Sequence, residues 1–251
     1  MIISSTTISP LSLKRSGVSV PPLISTMKHE WYFNNVQNAS GNIITIPDTG
    51  SVGGLDIANP ALANKPTQSS IGTKISYAAD GVDDYLYKAT TNFMKSMPTW
   101  MITVVFKYDS SSLNRFLNIF NETNTKREGV NIAINHSTSN FVVSAFNSSG
   151  GQTVIVNKNE SFVNGTNYIY TIAWGGTNIS LYRETTNKLE SVSANPFSIP
   201  TQTDNVSVFG EIKPASSNLF GKGSVGYIGV DEFDLTRLNA NVATLKTTFG
   251  I

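Results

Sequence analysis

The 251-residue sequence contains no cysteine, only two histidines and few charged side chains. Without cysteine there is no disulfide, no thiolate metal ligand and no cysteine nucleophile, and two histidines are too few for an ordinary zinc site. Eighteen Lys and Arg residues nearly balance 17 Asp and Glu residues, which leaves a formal net charge of +1. A chain this close to neutral has no strong field to attract nucleic acid, so no nucleic-acid partner is expected.

Long apolar runs are also missing. No stretch approaches the roughly 18 apolar residues of a membrane-spanning helix, so membrane insertion is not expected. The first residues place their charges at Lys14 and Arg15, behind a weakly apolar segment, which is a poor match to a secretory signal peptide. Residues 1–28 mix Ser and Thr with three prolines and predict an extended arm. Such an arm is either a loose terminus or a segment that docks on a neighbouring subunit.

From His29 onward the sequence is a series of short segments rich in aromatic and β-branched residues. Gly and Asn in the separators, as in GGTN (175–178), suit tight turns. In YIYTIAW (168–174), alternate residues share one face, which is predicted to belong to the core. Twelve strands are predicted, over 30–36, 74–79, 84–89, 100–108, 115–120, 129–135, 141–146, 152–156, 168–174, 179–184, 206–211 and 226–235.

Only the C-terminus has a helical period. Apolar residues recur there at intervals of three or four, from Leu238 to Phe249. Asn239 or Asn241 is available as the N-cap. The pattern predicts one short helix at the end of an all-β chain.

Three stretches, taken in order, resemble a known family. They are ISYAADGVDDYL (75–86), PTWMITVVFKY (98–108) and the closing segment GSVGYIGVDEFDLTRLNANVATLKTTFGI (223–251). Together they resemble the laminin-G-like branch of the concanavalin-A-like lectin and glucanase superfamily. Over residues 29–251 the resemblance implies a two-sheet antiparallel jelly-roll sandwich with one short C-terminal helix. The superfamily includes hydrolases, lectins and accessory domains of phage particles, so the fold does not decide the function.

Catalysis is not expected. Hydrolytic members of the superfamily carry Glu-x-Asp-x-Glu on one strand, and glycoside hydrolysis needs two carboxylates that face one cleft. The nearest match, DEFDLTR, has Glu232 and Asp234 on one predicted strand face but Thr236 in the third position. These residues are therefore interpreted as a solvated strand face, and no catalytic residue is assigned.

Asp80, Asp83 and Asp84 crowd three carboxylates into five positions. One interpretation is a calcium site, because calcium prefers oxygen ligands. The segment lacks the Asp-x-Asp-x-Asp-Gly spacing of a loop built around one ion, however. The structural interpretation is a β-hairpin in which Asp80-Gly81 turns the chain and Asp83 or Asp84 accepts backbone hydrogen bonds. No other cofactor is implied.

Sugar recognition combines aromatic faces with amide, carboxylate or guanidinium groups. The three tryptophans, Trp31, Trp100 and Trp174, lie in strand patterns and are predicted to be core residues. Loop residues are better candidates for ligand binding, and four are assigned: Asn121, Asn124, Arg127 and Asn147.

The leading hypothesis for function is a non-enzymatic structural or adhesion protein of a bacteriophage virion, such as a tail, fibre or head-decoration subunit. In this hypothesis residues 1–28 anchor the protein to other virion proteins. The jelly roll, residues 29–251, faces outward as part of a homo-oligomer and can bind a host surface glycan. The alternative is a secreted bacterial carbohydrate-binding module or glucanase-type protein.

Overall fold

The computed structural model describes residues 22–38, 44–59, 63, 65–89, 97–111, 113–123, 126–135, 137–146, 152–184, 188–193, 205–211 and 219–251. Within these ranges the protein has nineteen strands and one α-helix. No helix in them has both the length and the apolar character needed to cross a membrane.

An eight-stranded antiparallel sheet forms one layer of a sandwich. Its main strand order is β15-β14-β13-β8-β19-β6-β5, and β1 pairs with β19 beyond the end of β6. Numbered in chain order, its strands are β1 (His29–Tyr32), β5 (Thr67–Ile71), β6 (Lys74–Asp80), β8 (Trp100–Lys107), β13 (Asn167–Trp174), β14 (Asn178–Arg183), β15 (Lys188–Ser193) and β19 (Lys222–Asp231).

A nine-stranded antiparallel sheet forms the second layer, in the order β12-β11-β10-β9-β16-β7-β4-β3-β2. Its strands are β2 (Gln37–Asn38), β3 (Ile44–Ile46), β4 (Ile57–Ala58), β7 (Leu86–Ala89), β9 (Asn114–Thr123), β10 (Lys126–Asn135), β11 (Asn140–Phe146), β12 (Gln152–Asn159) and β16 (Asn205–Val208). A small ribbon pairs β17 (Gly210–Glu211) with β18 (Leu219–Phe220). The predicted all-β, two-sheet sandwich with one C-terminal helix is confirmed.

The space between the two sheets holds the main core. Tyr170 stacks on Phe141 of the opposite sheet, with 4.8 Å between ring centroids. The three tryptophans belong to this core, as predicted, and so do the four residues predicted to share one face of β13. The core residues that the sequence predicted are Trp31, Trp100, Trp174, Tyr168, Tyr170 and Ile172.

The outer face of the eight-stranded sheet is buried as well, under helix α1 (Leu235–Phe249). Leu238, Val242, Leu245 and Phe249 of the helix pack on outward-facing residues of the strands, including Ile169 and Tyr227. This second core explains why β8 and β13 are buried on both faces, where a simple sandwich would alternate buried and exposed residues.

The helix begins earlier than predicted. Asp234 is its N-cap, and its Oδ1 accepts hydrogen bonds from the backbone N–H groups of Thr236 (2.8 Å) and Arg237 (3.0 Å). The prediction of an Asn239 or Asn241 cap is therefore wrong, because three helical residues that are not buried precede Leu238, the first buried one. Strand β19 ends at Asp231, so Glu232 and Asp234 do not share a strand face. That prediction is also wrong, since the acidic run is where the chain changes from strand to helix.

The segment around Gly81 does not form the predicted hairpin. Strand β6 pairs with β5 and β19 in the eight-stranded sheet, while β7 pairs with β4 and β16 in the nine-stranded sheet. The turn thus carries the chain from one sheet to the other. Turn residues signal a reversal of direction, but they do not specify which sheet receives the next strand. The predicted strand over 30–36 is likewise cut short, since a 3-10 helix (Phe33–Asn35) follows β1.

Residues 22–28, the end of the predicted arm, pack against the sandwich. Ile24 and Met27 are buried in the second core. The wholly buried Glu30 accepts hydrogen bonds from the backbone N–H groups of Leu23 (2.8 Å) and Ile24 (2.8 Å). Its carboxylate also accepts from the hydroxyls of Thr49 (2.7 Å) and Tyr227 (3.1 Å). One carboxylate therefore ties this segment to two other parts of the chain.

We expect Glu30→Gln to lower the free energy of unfolding by about 2–4 kcal/mol. The glutamine amide nitrogen cannot accept the hydrogen bonds that one oxygen of the Glu30 carboxylate now accepts. Limited proteolysis should also cut near residues 22–28 sooner than in the wild type. Urea unfolding measures the first effect and mass spectrometry of the fragments the second. Glu232→Gln is the matched control, since Glu232 forms a partly exposed ion pair with Lys28 and its loss should change little. Equal effects of the two substitutions would contradict the role given to Glu30.

Candidate functional site

A polar cleft of about 470 Å³ opens on the outer face of the eight-stranded sheet, beyond the part covered by helix α1. Its floor is a row of residues that face each other across four strands. Thr67 pairs with Ala78, Ala78 with Ser224, and Ser224 with Lys107. The side chains of Ala78 and Ser224 are small, so the middle of the floor is low and the cleft stays open.

Two turns form one wall of the cleft. Tyr108 donates its N–H to the carbonyl of Thr166 (3.0 Å), and its own carbonyl accepts from Gly165 (2.9 Å). Asn164 Oδ1 accepts a hydrogen bond from the N–H of Ser110 (3.0 Å). Because backbone groups hold the turns together, the exposed Asn164 side chain has a fixed position at the rim.

The wall also carries an ion pair. Lys222 Nζ lies 3.6 Å from Asp109 Oδ2 and donates a hydrogen bond to the Ser111 hydroxyl (3.0 Å). Burial would raise the pKa of Asp109, but hydrogen bonds from Ser111 and the charge of Lys222 outweigh it and lower that pKa below its ordinary value. Asn114 fixes the Asp109 backbone, donating to its carbonyl (2.6 Å) and accepting from its N–H (2.9 Å). Asp109 therefore stays ionised as an acceptor at the cleft.

Asp80 connects the cleft to the aspartate cluster. Side-chain oxygens of Asp80, Asp83 and Asp84 lie within 4.8 Å of one another, and Asp80 also lines the cleft. Asp80 Oδ1 accepts from the N–H of Val82 (2.8 Å), and Asp84 Oδ2 accepts from the N–H of Asp80 (3.0 Å). The predicted backbone hydrogen bond to Asp84 is thus present.

The cluster meets only part of what calcium requires. Calcium takes six to eight oxygen ligands. Three carboxylates supply at most six oxygens, and two of these already accept backbone hydrogen bonds. Asp84 is almost fully buried, and burial, reinforced by the charges of Asp80 and Asp83, raises its pKa to about 6. An ion at this position would need further ligands from outside the cluster.

Of the four loop residues assigned from the sequence, two lie in strands of the nine-stranded sheet. Asn121 is in β9 and Arg127 in β10, where their backbones pair with Glu128 and Glu122. Asn124 and Asn147 lie outside the described residues. The cleft residues were missed because they come from β5, β6, β8, β19 and two turns that are far apart in the sequence. The one local signal was NGTN (164–167), which predicted a turn.

A second row of polar residues crosses the outer face of the nine-stranded sheet. In register, Ser144 pairs with Asn131, Asn131 with Asn118, and Asn118 with Ser207. Strand β17 closes over part of this row, because Asn118 Nδ2 (2.9 Å) and Ser207 Oγ (2.6 Å) both donate to the carbonyl of Gly210. All four residues are buried, so the row is not an open binding surface.

The sequence matches no protein-family model and no curated protein sequence. Solved structures do match the fold. The CBM40 of the Ruminococcus gnavus IT-sialidase, bound to α2,3-sialyllactose, aligns with a TM-score of 0.51 and 14% identity, over 71% of this chain and 96% of that one. The binding domain of botulinum neurotoxin DC in complex with SialylT aligns with a TM-score of 0.59 and 10% identity, over 89% and 52%. A Trypanosoma rangeli sialidase aligns with a TM-score of 0.58 and 10% identity, over 97% and 36%.

These similarities establish the fold and not an activity, because the identities are only 10–14%. The chain spans about half of the neurotoxin domain and about a third of the trypanosomal sialidase. The CBM40 and neurotoxin structures confirm a jelly-roll sandwich of the kind found in carbohydrate-binding domains. None of the three is described as a laminin-G-like domain or a bacteriophage protein, so those narrower assignments gain no support from them.

The raised pKa of Asp84 predicts a pH dependence of stability. Its contribution is fully present below the ordinary pKa near 3.8 and is lost as the pH rises through about 6. Asp84→Asn cannot lose a proton, so it should gain stability relative to the wild type between pH 4 and pH 7, by at most about 3 kcal/mol. Urea unfolding at four pH values measures this gain, and Asp83→Asn is the matched control. A wild-type-to-variant difference that does not change with pH would refute the prediction.

Proposed function

We propose that the protein is a non-enzymatic carbohydrate-binding domain that binds a glycan in the polar cleft. The observation that carries the proposal is the composition of the cleft. Within about 470 Å³ it offers charged and neutral hydrogen-bonding groups, including Asp80, Asp109 and Asn164. A volume of this size suits a small saccharide, and polar groups at fixed positions are what orient sugar hydroxyls.

A binding role without catalysis is supported by the state of the acidic residues. Glu232 is held by Lys28 at 2.6 Å, and Asp234 caps helix α1. Glycoside hydrolysis needs a general acid of raised pKa, whereas the pKa of Asp109 in the cleft is lowered, and Asp84, whose pKa is raised, does not line the cleft. The lining is thus better suited to accepting hydrogen bonds from hydroxyl groups than to donating a proton.

The structural neighbours indicate which glycans to test first. The CBM40 structure contains α2,3-sialyllactose, and the neurotoxin domain is in complex with SialylT. Glycans that end in sialic acid are therefore the first candidates for the cleft, alongside neutral oligosaccharides on the same array.

Binding should be weakened by Asp80→Ala and not by Asp83→Ala. Asp80 lines the cleft, whereas Asp83 belongs to the same carboxylate cluster without lining it. The loss of one charged acceptor should lower the affinity for the best array glycan about ten-fold. Isothermal titration calorimetry with that glycan measures the affinity of each variant.

The same pair of variants tests the proposal of calcium at the cluster. If calcium supports glycan binding, both substitutions should weaken it and EDTA should abolish it. If Asp80 acts directly on the sugar, EDTA should have no effect. Failure of the wild-type protein to bind any array glycan would overturn the proposed function.

We further propose that the domain is displayed on a bacteriophage virion as a homo-oligomer. The observation that favours this is the attachment of residues 22–28, because Glu30 holds Leu23 and Ile24, in the part of the predicted arm that the structure describes, on the sandwich. The alternative is a bacterial carbohydrate-binding module. It is favoured by the match to CBM40, of which 96% is covered.

Deletion of residues 1–21 should distinguish a virion protein from a bacterial carbohydrate-binding module. It leaves the packed segment intact, so the domain should fold and bind glycan as before. In the virion context the truncated protein should lose its oligomeric state and its association with other virion proteins. Sedimentation velocity and co-purification with particles measure these properties. An unchanged oligomer and unchanged association would remove the support for an anchoring arm.

A further inference from the structure

The position of Lys107 gives the cleft a cationic side. Lys107 is the last residue of β8 and faces Ser224 on one neighbouring strand and Asn167 on the other. Its side chain is half-buried along the cleft wall, and its Cε would lie 4.0 Å from a Cβ built on Gly165. The Lys107 stem thus passes beside Gly165 at the cleft wall.

Lys107 differs from the other cleft lysine in its partners. Lys222 is engaged by Asp109 and Ser111. Lys28 and Lys246 elsewhere on the domain also have carboxylate partners, Glu232 and Glu184. Within the described part of the chain, the Lys107 ammonium has no hydrogen bond and no ion pair. An incoming anion would therefore not have to displace an internal carboxylate.

Two glycines of the cleft lining have positive φ angles. Gly165 has φ 77° and no side chain at the point where the Lys107 stem passes. Gly223 has φ 116°, and a Cβ there would meet Asn114 Oδ1 at 2.6 Å. A larger residue at either position would be strained, because L-amino acids with side chains rarely adopt these angles. Gly165 therefore places no side chain beside the Lys107 stem, and Gly223 leaves room for Asn114.

From this arrangement we infer that the cleft selects glycans that carry a carboxylate, with Lys107 as the residue that recognises it. This inference rests on the proposed glycan-binding function. The opposite charges suit such a ligand, because the carboxylate pairs with Lys107 while Asp80 and Asp109 accept from hydroxyl groups. A charge-assisted hydrogen bond is about twice as strong as a neutral one. Sialic acids and uronic acids share the required chemistry.

The test compares three soluble ligands by calorimetry: 3′-sialyllactose, a hyaluronan tetrasaccharide and neutral lactose. The wild-type protein should bind at least one carboxylated ligand about ten-fold or more tightly than lactose. The tighter of the two carboxylated ligands shows whether the cleft prefers a sialic acid or a uronic acid. The preference should weaken with added salt, because the site is open to solvent.

Lys107→Met removes the charge and keeps the aliphatic stem. It should therefore reduce the preference for the carboxylated ligand over lactose to less than about three-fold. Lys107→Arg should retain most of it. Lys74→Met is the matched control, since it removes a lysine at the opposite end of β6 from Asp80, and it should change nothing. Urea unfolding confirms that each variant is folded.

The possible results distinguish a failure of carboxylate selectivity from a failure of glycan binding itself. Equal affinity for lactose and for the carboxylated sugars would overturn the selectivity while leaving glycan binding intact. Retention of the preference in Lys107→Met would overturn the role of Lys107. No binding of any of the three sugars, together with an array without positive glycans, would overturn both the inference and the proposed function.

Discussion

Strand β19 buries both of its faces, and much of the architecture depends on this constraint. Val225, Ile228 and Val230 enter the core between the sheets, while Tyr227 packs under helix α1. Gly226, at an irregularity in the pairing with β8, makes room for the ring of Phe249, which a Cβ would meet at 2.8 Å. Helix α1 begins shortly after β19, at the Asp234 cap. The strand and the helix that packs on it are therefore adjacent in the sequence.

The same arrangement creates the cleft. The helix packs over the part of the sheet around Tyr227, and the other end of β19, around Ser224, stays uncovered. This uncovered part of the sheet face carries Thr67, Ser224, Lys107 and Asp80 beside the small Ala78. The candidate binding surface is thus the part of the outer face of the eight-stranded sheet that helix α1 does not cover. This separation lets cleft residues vary without disturbing the second core.

Two buried carboxylates hold the beginning of the domain. Glu30 satisfies four donors, and Asp48 pairs with His29 at 2.7 Å while accepting from the N–H groups of Glu30, Gly50 and Leu55. Each of these acidic groups is buried and each is fully engaged in hydrogen bonds, as buried charges in stable proteins are. Glu30 connects residues 22–28 to the sandwich.

The sequence by itself determined the fold class, most strand positions, the core tryptophans and the C-terminal helix, because alternation, turn residues and helical period are local properties of the chain. It also identified Asp80, Asp83 and Asp84 as neighbours. Only the tertiary structure decided that β6 and β7 belong to different sheets, that β8 and β13 are buried on both faces, and that Lys107, Asp109, Asn164 and Ser224 share one cleft. Those facts depend on which strands pair and what covers them, and pairing between distant segments leaves no mark in the local pattern of residues.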